Sequence, residues 1–166
     1  MKKLAIVLGM VFLGQTASAN AATDWTPYLK PMMSGCNFPN PTDKLPARYK
    51  TSIASKKFRV DKTNEIDGYG EQITTYTLKN ATAFGKPLLK LEYLAGYEWG
   101  HLKLYFKDTK FTALRPQFKL PKVDSYPDDP LQVMKNNASG YEVEEMGYTN
   151  LIFDRKEKSI TCFSGL

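Results

Sequence analysis

The chain has 166 residues, of which 42% are hydrophobic and 24% charged, with a formal net charge of +6. That length suits one domain with a real core, and so modest a basic excess does not mark a nucleic-acid binder. The single histidine, His101, cannot make a zinc site alone, and no H-E-x-x-H motif is present.

The chain begins MKKLAIVLGMVFLGQTASA. Lys2 and Lys3 form a short positive region, and Leu4 to Gly14 an apolar stretch too short to span a bilayer, which takes about 20 helical residues. Ala17-Ser18-Ala19 fits the small-residue cleavage rule, with Ala19-Asn20-Ala21 as a second choice. Residues 1–19 are therefore expected to be a signal peptide, with cleavage after 19 or 21, and residues 20–166 a single mature domain. Its two leader lysines removed, the mature chain carries about +4. No later apolar run is long enough for a membrane helix, so the expected location is the periplasm of a Gram-negative cell or the medium.

Residues 20–47 are Pro-rich, with Pro27, Pro31, Pro39, Pro41 and Pro46. Thr26-Pro27 reads as a helix cap and first helical residue, with Pro31 stopping the helix within a turn. Trp25, Met32, Met33 and Phe38 are expected to pack this segment onto the core. From Lys57 the chain turns to strands. "FRV" is a short strand, "EQITTYTL" a second, and "KNATAFGK" an irregular connection.

"PLLKLEYLAGYEWGHLKLYF", residues 87–106, reads as a β-hairpin. Pairing Tyr93 with Leu102, Leu91 with Leu104 and Leu89 with Phe106 puts three apolar pairs on one face. The same register sets Glu92 against Lys103, Lys90 against Tyr105 and Leu94 against His101. A slip by one residue would bury charge, so the register is well specified. Gly96 to Trp99 is the loop.

Six basic residues lie between Lys103 and Lys122 against Asp108 alone, and acids dominate from Asp124 to Glu145. Ordinary surface charge accounts for this; the sharper reading is a basic strip facing an anionic partner. Asp129-Pro130 reads as the start of a two-turn helix through "LQVMKNN" ending near Gly140. A last hairpin pairs Phe153 with Ile160 and Leu151 with Cys162 across a tight Lys156-Glu157 turn, which neither residue favours. Cys36 and Cys162 are spaced unlike a redox C-x-x-C pair and are expected to form a buried disulfide in an oxidising compartment.

Together these elements predict an α+β fold: a mainly antiparallel sheet of about five to seven strands, two or three short helices and one disulfide. No motif calls for a cofactor or a metal. "GYGEQI" lacks the third glycine of a nucleotide loop and precedes a strand. A serine triad has no G-x-S-x-G to support it. Carboxylate hydrolysis by Asp124, Asp128, Asp129, Glu142, Glu144 or Glu145 has only clustering in its favour.

The hairpin's tip and polar face offer Tyr97, Trp99, His101, Lys103 and Tyr105 as partner-binding candidates, against the simpler reading that Trp99 folds back over the sheet edge. In size, export signal and single disulfide, the chain resembles small periplasmic proteins that neutralise other proteins, such as lysozyme inhibitors and immunity proteins. "SGCNFP" and "SGYEVE" contain the Ser-Gly of one inhibitor loop, but the Tyr-x-x-x-Thr-Lys-Gly segment that accompanies it has no counterpart, so no residue roles carry over. The expectation is a non-enzymatic binding protein, acting on another protein or an anionic envelope polymer. An envelope structural or adhesive subunit is the first alternative, a minor hydrolase the second.

Overall fold

The computed structural model describes residues 21–122 and 130–166, with the backbone alone at residue 64. The expected signal peptide and the acids Asp124, Asp128 and Asp129 lie outside the described residues. No helix among those described is long and apolar enough to cross a membrane.

Among the described residues ten strands form the sheet: β1 Thr23–Asp24, β2 Ile53–Ile66, β3 Tyr69–Leu78, β4 Ala81–Ala83, β5 Lys86–Ala95, β6 Trp99–Phe106, β7 Gln132–Asn137, β8 Gly140–Glu144, β9 Tyr148–Asp154 and β10 Ser159–Gly165. The long path runs β2-β3-β5-β6-β10-β9-β8-β7, antiparallel at every step. β4 pairs with the first residues of β5, and β1 lies parallel to β4. The sheet is thus larger than the five to seven strands expected, and mixed. The additional strands escape a reading by alternation because β1 and β4 are two and three residues long and β7 is exposed throughout.

The two hairpins hold most of the expected register. Tyr76, Leu91, Leu104, Ile160 and Phe153 line up across five strands, all buried. One pair is corrected: Phe106 faces Leu88, and the register shifts between Leu88 and Lys90. Leu89 is the extra residue of this bulge and is left exposed. The last hairpin turns through four residues, 155–158, and not two. Lys158 takes the left-handed conformation (φ 55°), and Asp154 Oδ1 accepts the N–H groups of Lys156 and Glu157 at 2.8 and 2.9 Å. This wider turn removes the misfit of Lys156-Glu157 with a two-residue one.

Other expectations shift for local reasons. The first helix, α1 (Thr26–Leu29), starts at Thr26 itself, whose N–H is held by Asp24 Oδ1 at 2.9 Å. The α-helix lasts one turn, and Pro31, lacking an N–H, lies in the 3₁₀ turn over Lys30–Met33 that interrupts it, as expected. "FRV" lies within the fourteen-residue β2. "KNATAFGK" contains β4. "LQVMKNN" is strand β7, not a helix, and its expected cap Asp129 lies outside the described residues. Arg115 holds its end, donating to Asn137 O at 2.9 Å and Asn136 Oδ1 at 2.6 Å.

A layer of short helical pieces covers one face of the sheet. Trp25, Leu29 and Met32 from the first helical segment and Tyr49 from α2 (Ala47–Lys50) are fully buried. Met33 and Phe38 pack at the margin of the same core. Trp25 Nε1 donates to Ser52 Oγ at 3.0 Å, so its buried polar group is satisfied. A 3₁₀ segment, Thr109–Gln117, inserts Phe111 between Phe106 and Phe153, with ring centroids 5.1 and 6.1 Å away. Cys36 and Cys162 are bonded, with Cα atoms 5.2 Å apart, and both are buried. The bond ties the covering layer to the last strand.

Candidate functional site

The loop of the β5–β6 hairpin is built on a glycine. Trp99 folds back across Gly96, where an added Cβ would sit 2.5 Å from the indole. Gly96 N–H donates to Trp99 O at 2.7 Å and closes the loop. The indole Nε1 donates to Glu71 Oε1 on β3 at 3.1 Å. Trp99 is therefore half-buried and bonded to a neighbouring strand, while Tyr97 stands out, 48% exposed. The ring of Tyr97 lies against Tyr69, which is 60% exposed, with centroids 5.4 Å apart. Two hairpin ends, β2–β3 and β5–β6, thus present one aromatic pair to solvent.

A cavity of about 420 Å³ opens beneath this tip, lined in part by Phe38, Tyr93, Tyr97, Trp99 and Leu166. A neighbouring cavity of about 320 Å³ shares Tyr93 and Ala95 with it and reaches Asn40 and Phe58. Phe38 and Tyr93 meet edge to face at 6.4 Å. Burial, with Asp43 contributing, pushes the Tyr93 hydroxyl above its usual pKa, so this wall is a neutral hydroxyl at physiological pH.

The remaining candidates lie along the outer face of β6, tied mostly to charged residues of β5 and of the last hairpin turn. His101 Nε2 is 3.5 Å from Glu92 Oε1. The His101 imidazole, then Lys90 and Lys103, hold the Glu92 carboxyl below its ordinary pKa against the opposing effect of burial. Lys90 Nζ sits 3.5 Å from the centre of the Tyr105 ring, and Lys103 Nζ 5.1 Å from it. Lys103 is ion-paired with Glu157. Burial alone would lower the Lys103 pKa; the Glu157 bond and Tyr105 outweigh it and the net shift is upward.

The structure brings Tyr97 and Trp99 together at the tip and keeps His101, Lys103 and Tyr105 in a separate row of contacts. Tyr69, Phe58 and Phe38 complete the tip surface and are absent from the binding candidates read in the sequence, where Phe38 is a packing residue and Phe58 part of the strand "FRV". "GYG" reads there as a turn, and the length of β2, which carries both Phe58 and the approach to Tyr69, is masked by its polar residues. The basic strip is dispersed. Lys103 pairs with Glu157, Lys119 Nζ donates to Pro116 O at 2.6 Å, and Arg115 also donates to Phe118 O at 2.8 Å.

Among the described residues no group of three or more His, Cys, Asp or Glu side chains is placed to hold a metal ion. In comparisons of the chain with protein-family models, with curated proteins and with solved structures, nothing matches.

Proposed function

We propose that the chain is an exported, non-enzymatic binding protein of the bacterial envelope, of the inhibitor or immunity kind, and that its contact surface is the aromatic tip centred on Tyr97. The observation that carries this reading is the exposed Tyr69–Tyr97 pair above an aromatic-lined cavity. Tyrosines supply large contact area at low entropic cost, and this pair leaves much of that area open to a partner. Trp99 supports the tip from beneath; His101, Lys103 and Tyr105 flank it, with Lys103 adding charge steering. The disulfide fits an oxidising compartment. A hydrolase gains less: among the described residues His101 Nε2 has no hydrogen-bonded hydroxyl partner.

The test is capture from periplasmic extract on immobilised mature protein, followed by affinity measurement with the purified partner. Tyr97→Ala is expected to weaken binding by about 2 kcal/mol, roughly thirtyfold, with the melting temperature unchanged. Equal affinity of the variant and the parent would remove the tip from the binding surface.

A further inference from the structure

Among the described residues neither end of the sheet's long path meets a further strand, and the two edges differ in kind. β7 is short, its register shifts between Val133 and Lys135, and Arg115 occupies the carbonyl of Asn137. These are the devices by which sheets blunt an edge. β2 is neither short nor shifted over its middle; its device is charge, Lys56, Lys57 and Arg59, which repels a basic strand and admits an acidic one. From Ser55 to Asp61 it pairs with β3 residue for residue without a shift, and its other side meets no strand among the described residues. Residues 54–60 are exposed without interruption. Phe58 and Val60, on one face, are 59% and 49% exposed. Such a strand is a template for another.

The charges on β2 select which strand. Lys57 and Arg59 share the opposite face from Phe58 and Val60. Arg59 is partly neutralised by Asp61 at 2.6 Å, whereas Lys57 has no ion pair among the described residues. Across β2 as a whole four basic residues stand against two acids. A second copy pairing antiparallel about a twofold axis at Lys57 or Phe58 brings Lys57 to Lys57 or Lys57 to Arg59, like charges that destabilise a strand pair, whereas an axis at Arg59 or Val60 brings Lys57 or Arg59 to Asp61. The basic excess of the edge favours an acidic strand, and a second copy is an outcome of the test.

We infer that β2 is a strand-acceptor edge, which binds an extended segment of an acidic protein by β-sheet addition, the partner's acids facing Lys57 and Arg59 and its apolar residues facing Phe58 and Val60. Main-chain bonds supply affinity in this mode and the alternating side chains supply specificity. The inference rests on the reading of the molecule as a protein binder; it shares Phe58 with the tip surface but is centred on the β2 edge and not on Tyr97, so Tyr97→Ala and main-chain methylation of the peptide separate the two.

The probe is a synthetic six-residue peptide of alternating glutamate and valine, titrated into mature protein, with a lysine–valine peptide as control. The acidic peptide is expected to bind at least tenfold more tightly and to protect amides within residues 54–60 from hydrogen exchange. N-methylation of one alternate set of peptide amides is expected to abolish binding, and of the other set to be tolerated. The double variant Lys57→Glu, Arg59→Glu reverses the peptide preference if the charges select the strand, and Tyr97→Ala leaves it unchanged. Equal tolerance of both methylated peptides, or protection outside β2, would overturn strand addition. A protein that sediments as a dimer, with β2 protected before peptide is added, would assign the edge to a second copy and overturn it equally.

Discussion

Adjacent residues of β6 have opposite duties, and this makes them a sharp test of the register. Leu104 is fully buried between Leu91 and Ile160, whereas Lys103 points to the other face and pairs with Glu157. Leu104→Ala is expected to cost about 2–5 kcal/mol as a large-to-small core change. Lys103→Ala is expected to cost within about 1 kcal/mol, because a partly exposed ion pair is screened. Equal losses in urea unfolding would contradict the strand assignment. Across the same pair of strands, Glu92 links charge to pH. Its folded-state pKa lies below the ordinary value of 4.5, so it contributes stability above that pH and loses it as pH falls through the folded value. Glu92→Gln is therefore expected to be less stable than the parent near neutrality, and the gap to narrow as the pH falls below about 4. Thermal melts at pH 7 and pH 3 measure it; a gap that widens in acid would refute the His101 and lysine contacts as its cause.

At the scale of elements, the legible parts of the fold are those in which one face is apolar and the other polar. β6 alternates strictly and β5, β9 and β10 do so around their central pairs, so Leu91, Leu104, Phe153 and Ile160 could be paired from sequence, and the pairings hold. Leu89 is the exception because a bulge is an event of one residue that leaves the alternation on either side intact. β7 is illegible for the opposite reason: an edge strand with no buried side chain has no pattern to read, and Asp129-Pro130 offers a helix start in its place. Tyr97 was legible as part of a hairpin loop; its partner Tyr69 was not, because the meeting of two hairpin ends depends on the sheet's twist. What makes "LQVMKNN" a strand lies outside it: the pairing with β8, which follows after a two-residue turn, and the Arg115 guanidinium. Gly140 adds to this, since its φ of 138° and the nearness of Leu151 O, 1.7 Å from where a Cβ would stand, exclude a side chain there. Arg115→Ala is expected to lose about 1–3 kcal/mol, the range for hydrogen bonds to a charged group. Hydrogen exchange should quicken at residues 132–137 and stay slow in β5 and β6. Uniform acceleration across the sheet would mean that Arg115 supports the core and not this edge.

At the scale of the whole molecule, the question is what holds the Pro-rich cover on the sheet. Two agents act on the same residues. The bond between Cys36 and Cys162 closes a loop across a sequence separation of 126. In the chain-entropy account, a loop of this length removes on the order of 4–5 kcal/mol of freedom from the unfolded chain. The cover also buries Trp25, Leu29, Met32 and Tyr49 completely, with Trp25 and Tyr49 rings 4.8 Å apart and Tyr76 OH donating to Pro41 O at 2.9 Å. Full burial of one large apolar side chain is worth about 1.5–3 kcal/mol, so four such residues match or exceed the bond. The native position of the cover is therefore set by packing, and the bond acts on the unfolded state. The double variant Cys36→Ala, Cys162→Ala is accordingly expected to fold to the same structure and to lose about 2–5 kcal/mol in urea unfolding. Its m-value should rise, because the uncrosslinked chain exposes more surface when unfolded. Amides of residues 25–33 should remain protected from hydrogen exchange in the folded variant. If those amides exchange freely while β5, β6, β9 and β10 stay protected, the disulfide and not the packing of Trp25, Leu29, Met32 and Tyr49 places the cover.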